Sequence, residues 1–155
     1  MPVRRVETRD AQPLSGLIVQ NLRQVNSRDY APEAIEALVL LHTPEKLAEY
    51  ARSQLTLVCT REDDVVGTAS LDGDRVRNVF VAVARHGQGI GRELMRAIEA
   101  HARERGVEKL YLLSGLTASG FYERLGYRIV RRFENDLDGI PLPVIQMDKE
   151  LVGSE

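Results

Sequence analysis

Three alternate glycines, Gly87, Gly89 and Gly91, stand between an apolar run, Val79-Phe80-Val81-Ala82-Val83, and an amphipathic stretch that starts at Ile90. A strand that ends in a glycine turn and opens a helix presents unpaired backbone N–H groups and the positive end of a helix dipole, which together hold phosphate. Glycine suits such a turn because it adopts positive φ and has no Cβ to keep an anion away. The spacing excludes two phosphate binders. The P-loop pattern needs Lys-Ser or Lys-Thr after its last glycine, and Arg92-Glu93 follows Gly91. The dinucleotide fingerprint needs G-x-G-x-x-G and an acidic residue at the end of the next strand. Here the glycines alternate, and the run from Lys109 to Leu113 ends in Ser114. Taken alone, the triplet is either an anion site or a tight turn.

Other reactive side chains are sparse. Cys59, the single cysteine, lies in the strand-like run Leu55-Thr56-Leu57-Val58-Cys59-Thr60 and reads as a small buried hydrophobe rather than a nucleophile. His42, His86 and His101 lack metal-ligand spacing, so no metal site is expected.

The elements that must position the turn follow from periodicity. A short strand over Val3 to Val6 precedes a helix N-capped by Asp10 and running to about Gln24, with Leu14, Leu17, Ile18 and Leu22 on one face. Pro32 opens a second helix, Glu33 to Leu41, and Thr43-Pro44 a third, to about Arg52. Leu55 to Thr60, Val65 to Leu71 and Arg75 to Val83 form an antiparallel meander joined by acidic turns. From Gly89 to Arg105 a helix buries Ile90, Leu94, Ile98 and Ala102 and turns Arg92, Glu93, Arg96, Glu99 and Arg103 outward, with Gly106 as its stop. A buried strand, Lys109 to Ser114, leads to a short helix, Ala118 to Leu125. Tyr127 to Phe133 is the next strand, 135–139 a loop, and Ile140 to Lys149 a last strand near an edge, interrupted by Pro141 and Pro143. The order predicts a single α/β domain with a mixed, mostly antiparallel sheet of about seven strands and helices on both faces. The strands ending at Val83 and starting at Lys109 should be parallel.

The glycine turn and the downstream segment Ala118-Ser119-Gly120-Phe121-Tyr122-Glu123-Arg124-Leu125-Gly126-Tyr127 together resemble the GNAT superfamily of acetyl-CoA-dependent N-acetyltransferases. The first matches its [QR]-x-x-G-x-[GA] pattern and the second its Phe-Tyr-x-x-x-Gly-[FY] segment. The likeness is strong from about Val65 to Val130 and weak over the first 50 residues. It implies three segments: 1–53, a strand and acceptor-side helices; 54–134, the acetyl-CoA core; and 135–155, a C-terminal loop and strand.

The resemblance further implies that backbone N–H groups of Gly87, Gln88, Gly89, Ile90, Gly91 and Arg92 cradle the coenzyme A pyrophosphate. The strand edge Val79, Phe80 and Val81 would pair with the pantetheine arm. Tyr122 would be the general acid that protonates the departing thiolate, with simple packing against the sheet as the alternative. Phe121 would face the core, and the Val81 N–H would hold the acetyl oxygen. The acceptor would be a primary amine of a small molecule or peptide. The helices from Asp10 to Arg52 and the segment 134–143 would wall its pocket, with Tyr30 lining it or only packing. Three positions depart from the family pattern: Val83 stands where proline is common, His86 where Arg or Gln is usual, and Gly115 where asparagine often steadies the cofactor. Neither residue flanking Val79 to the N-terminal side is a carboxylate, and none lies between Arg75 and His86, so no general base is assigned. A non-catalytic acyl-CoA-binding sensor or interaction module of the same fold is the alternative function, and a homodimer through Ile140 to Lys149 is left open.

Composition agrees with a single soluble domain. The chain has 155 residues, 21 Lys and Arg against 23 Asp and Glu, and a formal charge of −2. Nothing in that balance points to nucleic acid or an anionic membrane. No apolar segment follows Arg4-Arg5, so no signal peptide or membrane span is expected, and with one cysteine a cytoplasmic location is expected.

Overall fold

The computed structural model describes residues 2–151, so the last residues of the 135–155 segment lie outside the described residues. The strands are β1 (Val3–Arg5), β2 (Leu55–Arg61), β3 (Asp64–Asp72), β4 (Arg75–Val81), β5 (Lys109–Ser114), β6 (Arg128–Leu137) and β7 (Ile140–Glu150). The helices are α1 (Ala11–Gln24), α2 (Pro32–Leu40), α3 (Pro44–Ser53), α4 (Ile90–Glu104) and α5 (Ser119–Arg124). One seven-stranded sheet has the order β1-β2-β3-β4-β5-β7-β6, antiparallel throughout except for the parallel pair β4 and β5. The expected fold class therefore holds.

Two apolar layers cover the two faces. Ile90, Leu94, Met95, Ile98 and Ala102 of α4 pack on Leu57, Ala69, Leu71, Val76 and Leu110. Leu14, Leu17, Ile18 and Leu22 of α1 pack with Ile35, Leu47 and Val58 on the other face. Fully burying one such side chain stabilises by about 1.5–3 kcal/mol, so the heptad-like stripes alone are enough to fix which face each helix presents. No helix of the described residues is long and apolar enough to cross a membrane.

Several boundaries differ from expectation, each for a local reason. Asp10 is the N-cap residue of α1, as expected, but its side chain makes no capping hydrogen bond to that helix. It sits at the end of a 3-10 turn, Thr8–Asp10, accepts the Glu7 N–H at 2.7 Å and pairs with Arg4 at 2.8 Å. The hydrogen bond from Arg4 holds its carboxyl below the usual range. Glu99 faces inward, not outward. Tyr127 Oη, just before β6, donates to it at 2.9 Å and Lys149 Nζ of β7 at 3.0 and 3.2 Å, so the buried charge is paired and hydrogen-bonded. Burial of Tyr127 pushes its phenol up.

The segment 135–139 is not a loop. β6 continues to Leu137, and Asp138-Gly139 (φ +50 and +85) makes a two-residue turn into β7. Positive φ at both positions matches the twist of a tight hairpin. That turn closes on the pair Leu137↔Ile140, and the ladder alternates from there. Pro141 and Pro143 consequently fall at positions where β6 asks for no N–H, so prolines are tolerated inside the strand. β7 is interior to the sheet, between β5 and β6, and the edge strand is β6.

Candidate active site

β4 ends at Val81, two residues before the expected Val83, which belongs to a 3-10 turn (Val83–Arg85). Its pairing with β3 skips one residue between Phe80↔Thr68 and Arg77↔Ser70. Asn78 in this bulge has φ +53, a conformation asparagine accepts better than most residues. Bulges bend and twist the strand that carries them. β4 and β5 are in register only at Arg75↔Tyr111. Beyond it the strands part, and a cleft of about 680 Å3 opens, lined by Val79, Phe80 and Val81, by the glycine turn, and by Phe121 and Tyr122.

Within this edge the ladder decides which backbone groups are available. Ala82 N–H donates to Val66 O at 2.8 Å, so the pair Val81↔Gly67 carries no direct bonds and the main-chain groups of Val81 turn away from β3. Phe80, in the alternate position, is committed to β3. The Val81 carbonyl is already engaged: Asn21 Nδ2 donates to it at 2.8 Å, and His86 Nε2 lies 2.9 Å away. His86 is exposed, as a loop histidine would be, but it folds back as a clamp on the strand end.

Gly87 and Gly89 have φ of +82 and +83, and a Cβ built on either meets nothing within 4 Å. Here glycine serves the backbone conformation, and the space beside it is open. Gly91 differs: an added Cβ would stand 2.9 Å from Phe121 Cζ, so this glycine lets α5 approach α4. Gly89 is the N-cap of α4, whose first N–H groups have no helical partner. Gln88 and Ile90 do not line the cleft with their side chains; Ile90 is buried in the core. Arg92 and Arg124 line it, and its one carboxylate, Asp29, accepts hydrogen bonds from Thr117 N at 3.0 Å and Thr117 Oγ1 at 2.7 Å. An open, cationic surface of free N–H groups fits a phosphate-bearing ligand.

Tyr122 is 8% exposed and packs edge-on to Phe121 (5.1 Å) and Tyr127 (5.9 Å). The expected division is thus altered: Phe121 is half-buried across Gly91, and Tyr122 is the more deeply set ring. Burial, and after it Tyr30, push the Tyr122 phenol upward. A second pocket of about 270 Å3 adjoins the cleft and shares Asn26, Val79, Phe80, Gly115, Ala118 and Tyr122 with it. Leu38 and Leu41 of the helical segment wall this pocket, as do Asn135, Leu137 and Leu142 of the hairpin, together with Tyr30. Burial raises the Tyr30 phenol to about 12.

The Acetyltransferase (GNAT) domain model matches residues 26–151. The chain belongs to the GNAT acetyltransferase family. The peptidyl-lysine N-acetyltransferase YjaB of Salmonella typhimurium is 31% identical over 102 residues, 60% of this chain and 63% of that protein, so the match spans less than two thirds of the relative's own length. A crystal structure from Rhodopseudomonas palustris, described as a GCN5-related N-acetyltransferase, superposes with TM-score 0.89 at 29% identity over 96% of this chain and 94% of that one. The fold is also that of the PaiA N-acetyltransferase of Thermoplasma acidophilum in complex with coenzyme A, with TM-score 0.77 at 17% identity over 96% and 97% of the two chains.

Within this GNAT fold Gly115 has a specific cause. A Cβ there would lie 2.8 Å from Asp29 Oδ2 and 2.9 Å from Tyr30 Oη. The Asp29-Tyr30 segment fills the space a larger residue would take. Gly115→Asn is therefore expected to destabilise the chain by about 1–3 kcal/mol in urea unfolding. An unchanged midpoint would mean that Asp29 and Tyr30 move aside freely.

Five residues that sequence reasoning did not assign to a site also line these two sites. Asn21 is a polar residue on an apolar helix stripe, and Asn78 an asparagine inside a β-branched run; both breaks in pattern were visible signals. His42 is buried, with Nδ1 2.6 Å from Leu38 O and Nε2 3.0 Å from Asn78 Oδ1. Arg75 and Arg77 alternate along β4 and so share one face.

Proposed function

We propose that the chain is an N-acetyltransferase, moving an acetyl group from acetyl-CoA to the primary amine of a small molecule or peptide by direct attack with both substrates bound. The observation that carries this reading is the position of Tyr122, which lines both the cleft suited to a phosphate-bearing cofactor and the adjoining pocket. Family membership supports acyl transfer, coenzyme A in the PaiA structure supports the cofactor, and the name of YjaB supports an amine acceptor.

Bound in the cleft, acetyl-CoA supplies a thioester carbonyl and a thiolate leaving group. In the net reaction an N–C bond forms and the C–S bond breaks; the amine nitrogen loses a proton and the sulfur gains one. The N–H groups between Gly87 and Arg92 hold the pyrophosphate. Val79 and the N–H of Val81 serve the amide arm and the acetyl oxygen, with Asn21 and His86 fixing the strand by its Val81 carbonyl. Tyr122 Oη holds the proton destined for sulfur.

The test is thiol release from acetyl-CoA across a panel of primary amines, alongside the shift of melting temperature by acetyl-CoA. Amine-dependent, saturable release is the expected result. A melting shift without release for any amine would make the chain an acyl-CoA-binding module instead. Neither shift nor release would remove the cofactor assignment as well.

A further inference from the structure

Two arginines, Arg75 and Arg77, line the pocket beside Tyr122, and among the described residues no Asp or Glu does. Among the described residues neither arginine enters an ion pair. Arg75 Nε is buried with no hydrogen-bond partner, and its guanidinium stands 6.0 Å from the Tyr111 ring. Burial, and then the like charge of Arg77, lower the Arg75 pKa; Asp72, next to the hairpin turn, acts on it from outside salt-bridge distance.

Two half-buried like charges with no carboxylate in salt-bridge contact are costly to the fold alone, because Asp72 from a distance and Tyr111 beside Arg75 offset the desolvation only in part. An oxyanion would offset it, and the planar fork of arginine is suited to carboxylate and phosphate oxygens. The rest of the wall is largely apolar, including Leu38, Leu41, Leu137 and Leu142. A short aliphatic spacer fits there. At about 270 Å3 the pocket lies below the range of roughly 300–1,000 Å3 that takes drug-sized ligands. A polycation would meet two like charges and no acid.

We infer that the acceptor is a small primary amine that also carries an oxyanion, a carboxylate or a phosphate monoester, held by Arg75 and Arg77 while the amine is presented to Tyr122. This rests on the reading of the site as an acyltransferase and narrows its substrate class.

The experiment compares matched amines: 4-aminobutyrate with its amide, 2-aminoethyl phosphate with ethanolamine, and a diamine as the cationic arm. The wild type is expected to prefer at least one anionic member over its neutral match by about tenfold or more in kcat/KM, the ratio of a charge-assisted hydrogen bond. The carboxylate and phosphate arms show which oxyanion it is. In Arg77→Gln the ratio should fall toward unity, and Arg77→Lys should restore part of it; the melting temperature of each free variant verifies folding. Preference for neutral or cationic members, or a ratio unchanged in Arg77→Gln, would overturn the inference and leave acyl transfer standing. If no amine is acetylated, the melting temperature of the coenzyme A complex decides. A rise with 4-aminobutyrate or 2-aminoethyl phosphate that is absent in Arg77→Gln keeps the anion site and removes the transfer reading. No rise with either probe overturns the inference.

Discussion

Tyr122→Phe is expected to lower kcat by about 10²–10⁴-fold while acetyl-CoA still binds. The substitution keeps the ring that packs against Phe121 and Tyr127 and removes only the hydroxyl. Among the described residues no protein group hydrogen-bonds that hydroxyl, although it belongs to a ring set deep in the core. Its oxygen is not among the buried atoms left without a partner, so it faces the open space of the cleft and not the closed core. Here the proton is left uncommitted where the cleft and the pocket meet. Thiol release measures kcat, and the melting shift with coenzyme A measures binding. A kcat within threefold of wild type would remove Tyr122 from the chemistry and leave it as a wall.

The pH dependence follows with a definite sign. As the proposed general acid, the phenol would act in its neutral form, so deprotonation would abolish its role. Burial raises its pKa above the ordinary value of about 10, and Tyr30 beside it raises it further. Tyr122 therefore stays protonated through neutral and mildly alkaline solution, and its loss should produce no falling limb in kcat below about pH 10. An alkaline limb centred near pH 8 that vanishes in Tyr122→Phe would contradict this.

The layer order and the glycine turn that opens α4 were legible in the sequence because strong, short-range rules set them. The stripe Ile90, Leu94, Ile98, Ala102 could bury only one face, and Thr43-Pro44 opened a helix as its capping chemistry required, with Thr43 Oγ1 accepting Lys46 N–H at 3.2 Å. The split between β4 and β5 was less accessible. It accompanies one inserted residue at Asn78, whose effect depends on pairing with β3. Glu99 was misplaced because helical periodicity alone cannot see Lys149, fifty positions away on β7. The hairpin Asp138-Gly139 was different: its Asp-Gly signal was present, but 135–139 was read as a loop, and the two prolines beyond it pointed to an edge position for a strand that lies inside the sheet and spares their missing N–H groups. Gly115 required the tertiary structure, since Asp29 and Tyr30 reach it from a segment far earlier in the chain.

Gly89→Asp is expected to weaken coenzyme A binding by about 100-fold or more while the chain still folds. Gly89 has φ +83, where a side chain costs on the order of 1–2 kcal/mol, and aspartate is among the residues that bear it best. Nothing lies within 4 Å of the added Cβ, so steric disruption of the core is not part of the effect. Two electrostatic changes are. The carboxylate sits at the N-cap of α4 and itself occupies the N–H groups left free there. It also brings a negative charge against a pyrophosphate, a repulsion of about 4 kcal/mol at 4 Å and an effective dielectric of 20. Gly73→Asp supplies the control, because Gly73 has φ +63 in a hairpin turn with nothing within 4 Å and lines neither pocket. Both variants carry a similar backbone cost and the same added charge, but the carboxylate at 89 meets the N-terminus of α4 while that at 73 stands between Asp72 and Asp74, so the melting temperature of free Gly89→Asp should fall no further than that of Gly73→Asp. Only Gly89→Asp should lose the melting shift produced by coenzyme A, and that loss should grow smaller as salt screens the repulsion. Equal coenzyme A affinity in the two variants would mean that the glycine turn shapes the backbone and holds no phosphate.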